Sequence, residues 1–256
     1  MSKKLPLVSV ITCTYNIVKA ERAEYIRQCF SSIHNQTYPE IEHIVIDGAS
    51  SDGTVDILED YSKQGKLKYY SEPDNGIYDA MNKGILKAKG KYIVFMNSDD
   101  FYTSDDVLAT IAAEFERKNV DAVFGDIHFV NPNDLDKCVR YYSSRVFTPN
   151  ALRFGFMPAH PSFYVRRECY RRYGCYDLAY RIASDYDLMV RFFYKHKITY
   201  SYIKKDMVTM RTGGLSTKNL KNRILITTED VKACRKNGMY SNWLLMSFKY
   251  FYKVFE

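Results

Sequence analysis

The sequence predicts an α/β fold built on a mostly parallel, doubly wound sheet. Through the first half of its 256 residues, short apolar, β-branched runs alternate with segments of helical periodicity, which is the order of strand, helix and parallel strand units. Apolar residues make up 46% and charged residues 26%, as in soluble globular proteins. No apolar run reaches the roughly 18 residues of a membrane-spanning helix. These three observations exclude a disordered chain and a multi-span membrane protein.

The predicted strands of the first half are apolar runs that end in polar or turn-forming residues. They lie at 7–14, 41–46, 67–71, 92–96 and 121–130. The segments between them carry apolar residues at helical spacing, as Ile26, Phe30 and Ile33 do in the first. We therefore expect helices at 20–35, 54–62, 77–88 and from about 104 to about 117.

The second half is less regular, and it contains no repeat and no interdomain linker. Short strands are expected near 139–142, 162–166, 198–203 and 207–211. Helices are expected at 184–196 and, after a Gly-Gly loop, at 217–237.

The C-terminal segment 243–256 has a character of its own. At 100° per residue, Lys249, Lys253 and Glu256 share one narrow polar stripe, and aromatic and aliphatic residues cover most of the rest. This pattern is typical of a helix that lies at a membrane interface. A helix that packs back on the domain or on a partner subunit would show the same pattern, so both interpretations stay open.

Charge is distributed unevenly along the chain. Residues 1–136 hold 14 Lys and Arg against 22 Asp and Glu, whereas residues 137–256 hold 23 against 8, so the formal charges are −8 and +15. The basic half predicts an anionic neighbour, which could be a membrane surface, a phosphate-bearing ligand or a nucleic acid. The six cysteines form no C-x-x-C pair and have no zinc-ligand spacing. Since the N-terminus does not resemble a secretory signal, we expect reduced thiols in the cytosol.

Polar side chains collect where the predicted strands end. Asp47, Asp74 and Asp99 follow the second, third and fourth strands. Because ligands of open α/β sheets bind beyond the carboxyl ends of the strands, these carboxylates are expected on one rim, where a divalent cation would relieve their repulsion. Each acid alone could instead be a turn or capping residue. The sequence has neither G-x-G-x-x-G nor a P-loop, so the phosphates of a bound nucleotide would need another counter-charge, which a metal would supply.

Five ordered motifs resemble the inverting family 2 glycosyltransferases, in particular bacterial members that build surface polysaccharides. The motifs are VSVITCTYN, VIDGASSDGT, DNGIYDAMNKGI, FMNSDD and ASDYDLMVRF, and they cover about residues 7–215. The resemblance implies a GT-A fold, Rossmann-like with flanking helices. It divides a domain at 1–215 into a nucleotide-sugar-binding half (1–103) and an acceptor-binding half (104–215). Residues 216–256 would form a C-terminal helical extension.

The resemblance also assigns the donor site. It implies that the nucleotide is bound by Cys13, Tyr15, Asp47, Asp74, Asn97 and Ser98. Asp47 would accept a hydrogen bond from the N–H of a uracil or thymine base. Asp99 would bind Mn²⁺ or Mg²⁺. The chain departs from the family where Asn97 replaces the first acid of the Asp-x-Asp motif, and where Cys13 replaces a frequent proline.

The same resemblance assigns the catalytic base to Asp185. Asp187 lies two residues away and cannot share its helix face. The alternative is that both acids only favour a helix N-terminus behind a Ser184 cap. His160, Asp100 and Arg211 are further candidates for contact with acceptor or donor, and residues 211–216 match a mobile loop that would close over the donor phosphates.

The predicted activity is hexosyl transfer from a nucleoside-diphosphate sugar, with UDP favoured, to a hydroxyl of a glycan or polyprenyl-diphosphate-linked acceptor. The protein is expected in the cytoplasm or peripherally on the inner face of the cytoplasmic membrane, with no nucleic-acid partner. Two alternatives are a nucleotidyltransferase that makes a sugar nucleotide and a non-catalytic basic protein that binds nucleic acid or carbohydrate. The chain has no Gly-rich phosphate loop for the first and no nucleic-acid motif for the second.

Overall fold

The computed structural model describes residues 4–213 and 220–252. The strands are β1 (Val8–Thr14), β2 (Ile41–Asp47), β3 (Lys68–Ser71), β4 (Tyr92–Phe95), β5 (Phe101–Tyr102), β6 (Ala122–Asn131), β7 (Asp134–Tyr142), β8 (Phe163–Arg166) and β9 (Tyr200–Arg211). The helices are α1 (Ala23–His34), α2 (Thr54–Lys63), α3 (Ile77–Lys87), α4 (Val107–Lys118), α5 (Arg167–Tyr173), α6 (Ser184–Met189), α7 (Leu220–Lys236) and α8 (Trp243–Tyr252).

All nine strands form one sheet in the order β3-β2-β1-β4-β8-β6-β9-β5, and β7 pairs with the C-terminal part of β6. The strands β3, β2, β1 and β4 are parallel, as predicted. The order reverses between β1 and β4, which is the point where a crevice for ligands opens at the carboxyl ends of the strands. Residues that follow β1, β2 and β4 therefore surround one cleft.

Helices cover both faces of the sheet because its strands carry buried apolar residues on both sides. Helices α1, α2 and α4 pack on one face, with Phe30, Leu58 and Phe115 fully buried there. The other face is covered by α3, α5, α6, α7 and α8, so the two C-terminal helices belong to the same core as the sheet.

The second half of the sheet is mixed in direction. Strand β8 lies antiparallel between β4 and β6, and β7 is antiparallel to β6, whereas β9 runs parallel to β6. The strands expected at 198–203 and 207–211 are one continuous strand, β9. The polar Lys204-Lys205-Asp206 segment between them led to the prediction of two strands. In the structure, two of these side chains have polar partners. Lys205 contacts Asp106, and Asp206 accepts a hydrogen bond from His128 at 2.6 Å.

The predicted helix at 184–196 begins as α6 and continues as a π-helix over Val190–Lys195. The predicted start of the following helix at 217 lies outside the described residues, and α7 is described from Leu220. Within the described residues, no helix is both long and apolar enough to cross a membrane.

The prediction that Lys249 lies on an exposed polar stripe of the C-terminal helix is wrong. This side chain is 8% exposed, and its ammonium group lies 2.5 Å from the buried carboxylate of Asp230 on α7. The surface of α8 is instead apolar, with Trp243, Leu244 and Phe248 about half to three quarters exposed. Lys249 can be buried, although the helical pattern predicts that it is exposed, because the Asp230 carboxylate supplies the counter-charge that a buried ammonium needs.

Candidate active site

Asp47 is a structural anchor of the cleft. Its carboxylate is fully buried and accepts hydrogen bonds from the hydroxyls of Thr14 (3.0 Å) and Ser71 (2.7 Å), and from both the amide and the hydroxyl of Ser50 (2.8 and 2.5 Å). Four donors fill the four acceptor positions of a carboxylate. The expected contact between Asp47 and a nucleobase is therefore wrong, since the side chain has neither exposure nor a free lone pair.

Asp74, which was also expected at the donor site, lies against Gly48, the residue that follows Asp47. A Cβ built on the buried Gly48 would lie 2.7 Å from Asp74 Oδ2 and 3.2 Å from the ring of Tyr15. Gly48 therefore leaves room for the Asp74 carboxylate, which stays partly exposed. Its other oxygen, Oδ1, accepts the Gly76 amide at 2.8 Å, which orients the carboxylate within its loop.

The predicted nucleoside-site residues at the end of β1 lie next to this carboxylate. Tyr15 is 65% exposed, so the face of its ring is available to a ligand. Burial, and then the charge of Asp74, raise the pKa of the half-buried Cys13 thiol, which keeps it neutral. The structure thus brings Cys13, Tyr15 and Asp74 together.

The loop after β4 is held by its own side chains. Asn97 donates to the Asp100 carboxylate at 2.7 Å, and Cys29 donates to the Asn97 carbonyl at 3.3 Å. Asp100 is 1% exposed, and burial followed by the charge of Asp99 raises its pKa well above the ordinary range. Asp100 therefore stabilises the loop and is not the ligand contact that was expected. The side chain of Asn97 is held by its hydrogen bond to Asp100. Ser98 is largely buried, with 9% of its surface exposed.

Asp99 is the carboxylate that this loop presents to the cleft. Its side chain is 27% exposed, and Arg22 Nη1 lies 3.2 Å from Oδ2. Arg211 is 7% exposed and donates to the main-chain carbonyl of Asp99 and to Gln28, while its guanidinium lies 4.1 Å from the ring centroid of Tyr25. Arg211 thus supports the loop from behind. The rest of the expected mobile loop, 214–216, lies outside the described residues.

The carboxylates of the described residues do not form a ready-made metal cage, because no cluster of three or more His, Cys, Asp or Glu side chains is present among them. Asp99 fits the other common arrangement, in which one carboxylate holds the ion and substrate phosphates and water complete its shell. Arg22 is the cation that balances Asp99 in this structure, and a metal on Oδ2 would displace it.

Asp185 and Asp187 have different surroundings, although they are two residues apart. Asp187 is 1% exposed and is held by Asn237 at 3.0 Å and by Arg191 at 3.5 Å, so it is a structural acid. Asp185 is partly exposed. Burial raises its pKa, and the Tyr186 amide at 2.8 Å and the Tyr78 hydroxyl at 3.2 Å oppose this rise. The geometry leaves only Asp185 open to the cleft.

A chain of aromatic contacts joins Asp185 to the end of β4. Tyr78 stacks on Tyr176 with ring centroids 5.6 Å apart, and the Tyr176 hydroxyl lies 2.7 Å from His160 Nε2. His160 in turn stacks on Phe95, the last residue of β4. Burial lowers the pKa of His160 to about 4, so its ring is neutral at pH 7. His160 thus holds Tyr176 in place, with no charge to offer a phosphate.

Sequence reasoning missed Arg22, Tyr78 and Glu229. Arg22 precedes α1 and has no local pattern, whereas Tyr78 lies in the first turn of α3, within the motif DNGIYDAMNKGI, which gave it no role. Ser184 was the expected cap of α6, but its hydroxyl donates to the Asp177 carbonyl at 2.9 Å. The carboxylate of Glu229, from α7, takes the capping role instead.

Known proteins match this chain over most of its length. The family description "Glycosyl transferase family 2" matches residues 9–171. A PGL/p-HBAD biosynthesis glycosyltransferase of Mycobacterium tuberculosis is 30% identical over 215 residues, which are 82% of this chain and 79% of the relative. The putative teichuronic acid biosynthesis glycosyltransferase TuaG of Bacillus subtilis is 36% identical over 119 residues, 46% of this chain and 45% of the relative.

Two solved structures show the same fold at low identity. TarS 1-349 of S. aureus, in complex with UDP-GlcNAc, has a TM-score of 0.65 and 19% identity, over 88% of this chain and 66% of that one. The mannosyltransferase PcManGT of Pyrobaculum calidifontis, in complex with GDP-Man and Mn²⁺, has a TM-score of 0.65 and 21% identity, over 91% of this chain and 64% of that one. The chain thus spans about two thirds of these structures, which are of the GT-A type. From the family match and the relative that covers most of its length, the chain belongs to glycosyl transferase family 2 and is a glycosyltransferase.

Proposed function

We propose that this enzyme transfers a sugar, with inversion, from a nucleoside-diphosphate sugar to a hydroxyl of a bacterial glycan acceptor. The observation that carries the proposal is the chain of contacts through Tyr78, Tyr176 and His160 that joins the partly exposed Asp185 to the end of β4, the strand that Asp99 follows. Asp99 follows β4 in the nucleotide-binding half, and Asp185 begins α6 more than eighty residues later. The names of two matched enzymes refer to PGL/p-HBAD biosynthesis and to teichuronic acid biosynthesis, which supports a bacterial glycan as the acceptor class.

The donor half would bind the nucleoside between Tyr15 and Asp74. Tyr15 offers an exposed aromatic ring for stacking, and Asp74 offers a carboxylate that can accept an N–H from the base. Uracil and thymine carry such an N–H on their pairing edge, and so does guanine. We propose a UDP-sugar as the favoured donor, and the comparison of UDP with GDP below tests this choice. The complex of TarS with UDP-GlcNAc is consistent with uridine, whereas PcManGT was crystallised with a guanosine donor.

The catalytic step would be a single in-line displacement at the anomeric carbon. Asp185 takes the proton of the acceptor hydroxyl as the new C–O bond forms and the bond to the diphosphate breaks. Asp99 would hold Mn²⁺ or Mg²⁺, which supplies Lewis-acid stabilisation of the departing diphosphate when it is bound. Tyr78 orients Asp185, and the hydrogen-bonded loop around Asn97 and Asp100 keeps Asp99 in place.

Nucleotide binding is the first property to test. We expect UDP or dTDP with Mn²⁺ to raise the melting temperature, and GDP, CDP and NAD to have little effect. Ligand at 100 Kd stabilises by about 2.7 kcal/mol, which is a shift of roughly 5–10 °C for a chain of this size. Differential scanning fluorimetry with and without Mn²⁺ measures it. The absence of a shift with every diphosphate and metal would contradict the donor site.

Two matched variants separate the roles of the neighbouring acids. Asp74→Ala should remove the UDP shift at little cost in stability, because its carboxylate is partly exposed. Asp47→Asn should lower the melting temperature of the free protein, because it breaks hydrogen bonds of a buried carboxylate, at a cost of about 1–3 kcal/mol. A variant Asp74→Ala that still responds fully to UDP would overturn this assignment.

The exposed face of α8 supports peripheral binding to an anionic membrane. Trp243 is 47%, Leu244 72% and Phe248 51% exposed, on one side of the helix. Exposed Lys221 and Arg223 of α7 lie beside the end of α8, where the Tyr250 hydroxyl contacts the Arg223 carbonyl. An apolar face with basic neighbours fits the headgroup region of an anionic bilayer. A membrane site would bring the enzyme to lipid-linked acceptors.

Vesicle sedimentation tests this surface. We expect binding to vesicles of phosphatidylcholine and phosphatidylglycerol (3:1), weaker binding to phosphatidylcholine alone, and at least a tenfold loss in the double variant Trp243→Ser, Leu244→Ser. Burial of each apolar side chain contributes about 1.5–3 kcal/mol. Leu86→Ser is the control, since Leu86 is 80% exposed on α3, away from α8. If the double variant sediments like the parent, the face does not bind membrane, and light scattering would then test a second copy as its partner.

A further inference from the structure

The helix that carries Asp185 lacks a cap of its own. The residue before α6 is Ala183, whose side chain cannot cap the helix, and within α6 the Asp185 carboxylate accepts the amide of Tyr186 at 2.8 Å. Because the first amides of a helix have no intrahelical acceptor, a buried helix start needs acceptors from elsewhere. At this site the acceptor comes from α7, more than forty residues further along the chain.

Glu229 supplies that acceptor. Its carboxylate accepts the amide of Arg181 through Oε1, and the amides of Ile182 and Ala183 through Oε2, each at 2.9 Å. The side chain is 9% exposed, so water competes little for these bonds. A carboxylate at a helix N-terminus is also favoured by the helix dipole.

The three amides immediately precede Ser184 and Asp185, so they fix the backbone from which the Asp185 side chain projects. The carbonyl of Ile182 accepts the hydroxyl of Tyr78, and the same hydroxyl lies 3.2 Å from Asp185 Oδ1. One carboxylate therefore holds the backbone on which both Asp185 and its neighbour Tyr78 depend.

Glu229 is itself held rigidly by its helix. The next residue, Asp230, is 3% exposed and pairs with the buried Lys249 of α8 at 2.5 Å. Directly after α7, Asn237 holds Asp187 of α6 at 3.0 Å. The two C-terminal helices thus form a support beneath α6, in which Glu229 holds the three amides that precede the helix.

We propose that Glu229 is a positioning residue for Asp185, through the three backbone amides that precede α6. The proposal rests on the proposed function, in which Asp185 is the base. It adds that the C-terminal helices contribute to transfer as well as to folding.

The test compares Glu229→Gln with Asp177→Asn. Asp177 is a matched control because its carboxylate also ties the segment before α6 to α7, through Lys236, without touching the amides beside Asp185. We expect Glu229→Gln to lower kcat for release of UDP by about 10–100-fold, as misplacement of a reacting group by about 1 Å does. Its affinity for UDP should stay within twofold, and Asp177→Asn should keep kcat within twofold.

Two readouts do not need an identified acceptor. Hydrogen exchange of the amides of residues 181–183 should accelerate in Glu229→Gln. The Asp185 pKa can be measured by NMR in protein labelled with ¹³C at aspartate Cγ. The Asp185 signal is identified as the one that is missing from the spectrum of Asp185→Asn, and its titration gives the pKa. That pKa should fall in Glu229→Gln, since a negative charge is lost and the carboxylate becomes more hydrated. The other titratable groups that face Asp185 are Tyr78, Tyr176, Asp230 and Lys249, and they are unchanged.

A double-mutant cycle distinguishes the possible failures. If Glu229 acts through Asp185, Glu229→Gln has no further effect on the residual turnover of Asp185→Asn. The same loss in both backgrounds, or an unchanged Asp185 pKa with unchanged kcat, would overturn the positioning role. Full turnover by Asp185→Asn would instead overturn the proposed base. Glu229→Asp, which keeps the charge, should recover part of kcat, and it replaces Glu229→Gln if that variant is unfolded at the assay temperature.

Discussion

The variant Asp185→Asn is expected to lose about 10²–10⁴-fold in kcat, the range that a general base contributes. Asparagine keeps the shape of the side chain and cannot take the acceptor proton. The affinity for UDP should stay within twofold of the parent, since Asp185 is proposed to act on the acceptor hydroxyl and not on the nucleotide. Release of UDP from the donor sugar measures kcat, and the nucleotide-induced shift in melting temperature measures binding.

The neighbouring acid provides the control for this variant. Asp187→Asn should reduce stability, because Asp187 is buried and held by Asn237 and Arg191, and its kcat per folded molecule should change far less. If Asp185→Asn turns over like the parent, or if Asp187→Asn shows the larger loss in kcat, the base has been assigned to the wrong residue.

The pH dependence of kcat/KM in the parent enzyme should also reveal Asp185 as the base. Burial raises the pKa of Asp185, and a base acts only when it is deprotonated. Activity should therefore increase with pH through a value above the ordinary aspartate pKa of about 3.9. This acidic limb of kcat/KM should be absent from the residual activity of Asp185→Asn.

The second large effect is expected for Asp99→Asn. It should remove the Mn²⁺-dependent part of the UDP shift and lower kcat by about 10³-fold or more, because several kcal/mol of charge stabilisation depend on the ion. UDP should still bind weakly without metal through Tyr15 and Asp74. Titration of Mn²⁺ at fixed UDP, followed by the melting temperature, measures the loss.

Asp106→Asn is the control for the loss of a carboxylate near this loop. Asp106 pairs with Lys205 on the surface and does not face the cleft, so its variant should respond to Mn²⁺ and UDP like the parent. A full metal response in Asp99→Asn would show that the ion, if one is used, is held by other groups.

The alternation of strands and helices in the first half could be predicted from the amino-acid sequence, and so could the edge of the sheet at which Asp74 and Asp99 lie. Both follow from local properties. Apolar runs define buried strands, and parallel strands bring their carboxyl ends to one side. Asp74 and Asp99 were therefore identified as candidates at strand ends, whereas Asp185 was identified through the family resemblance.

Tertiary structure alone decided which acids are available and what supports them. Asp47 and Asp74 look equivalent in sequence, but four donors from three segments occupy Asp47, and the missing side chain of Gly48 gives Asp74 its place. The helical pattern predicts that Lys249 is exposed to solvent, but its ion pair with Asp230 keeps it buried. Glu229 reaches the start of α6 from a distant helix. Hydrogen bonds and ion pairs between remote segments leave no period in the sequence, because each depends on how whole elements pack and not on the spacing of neighbouring residues.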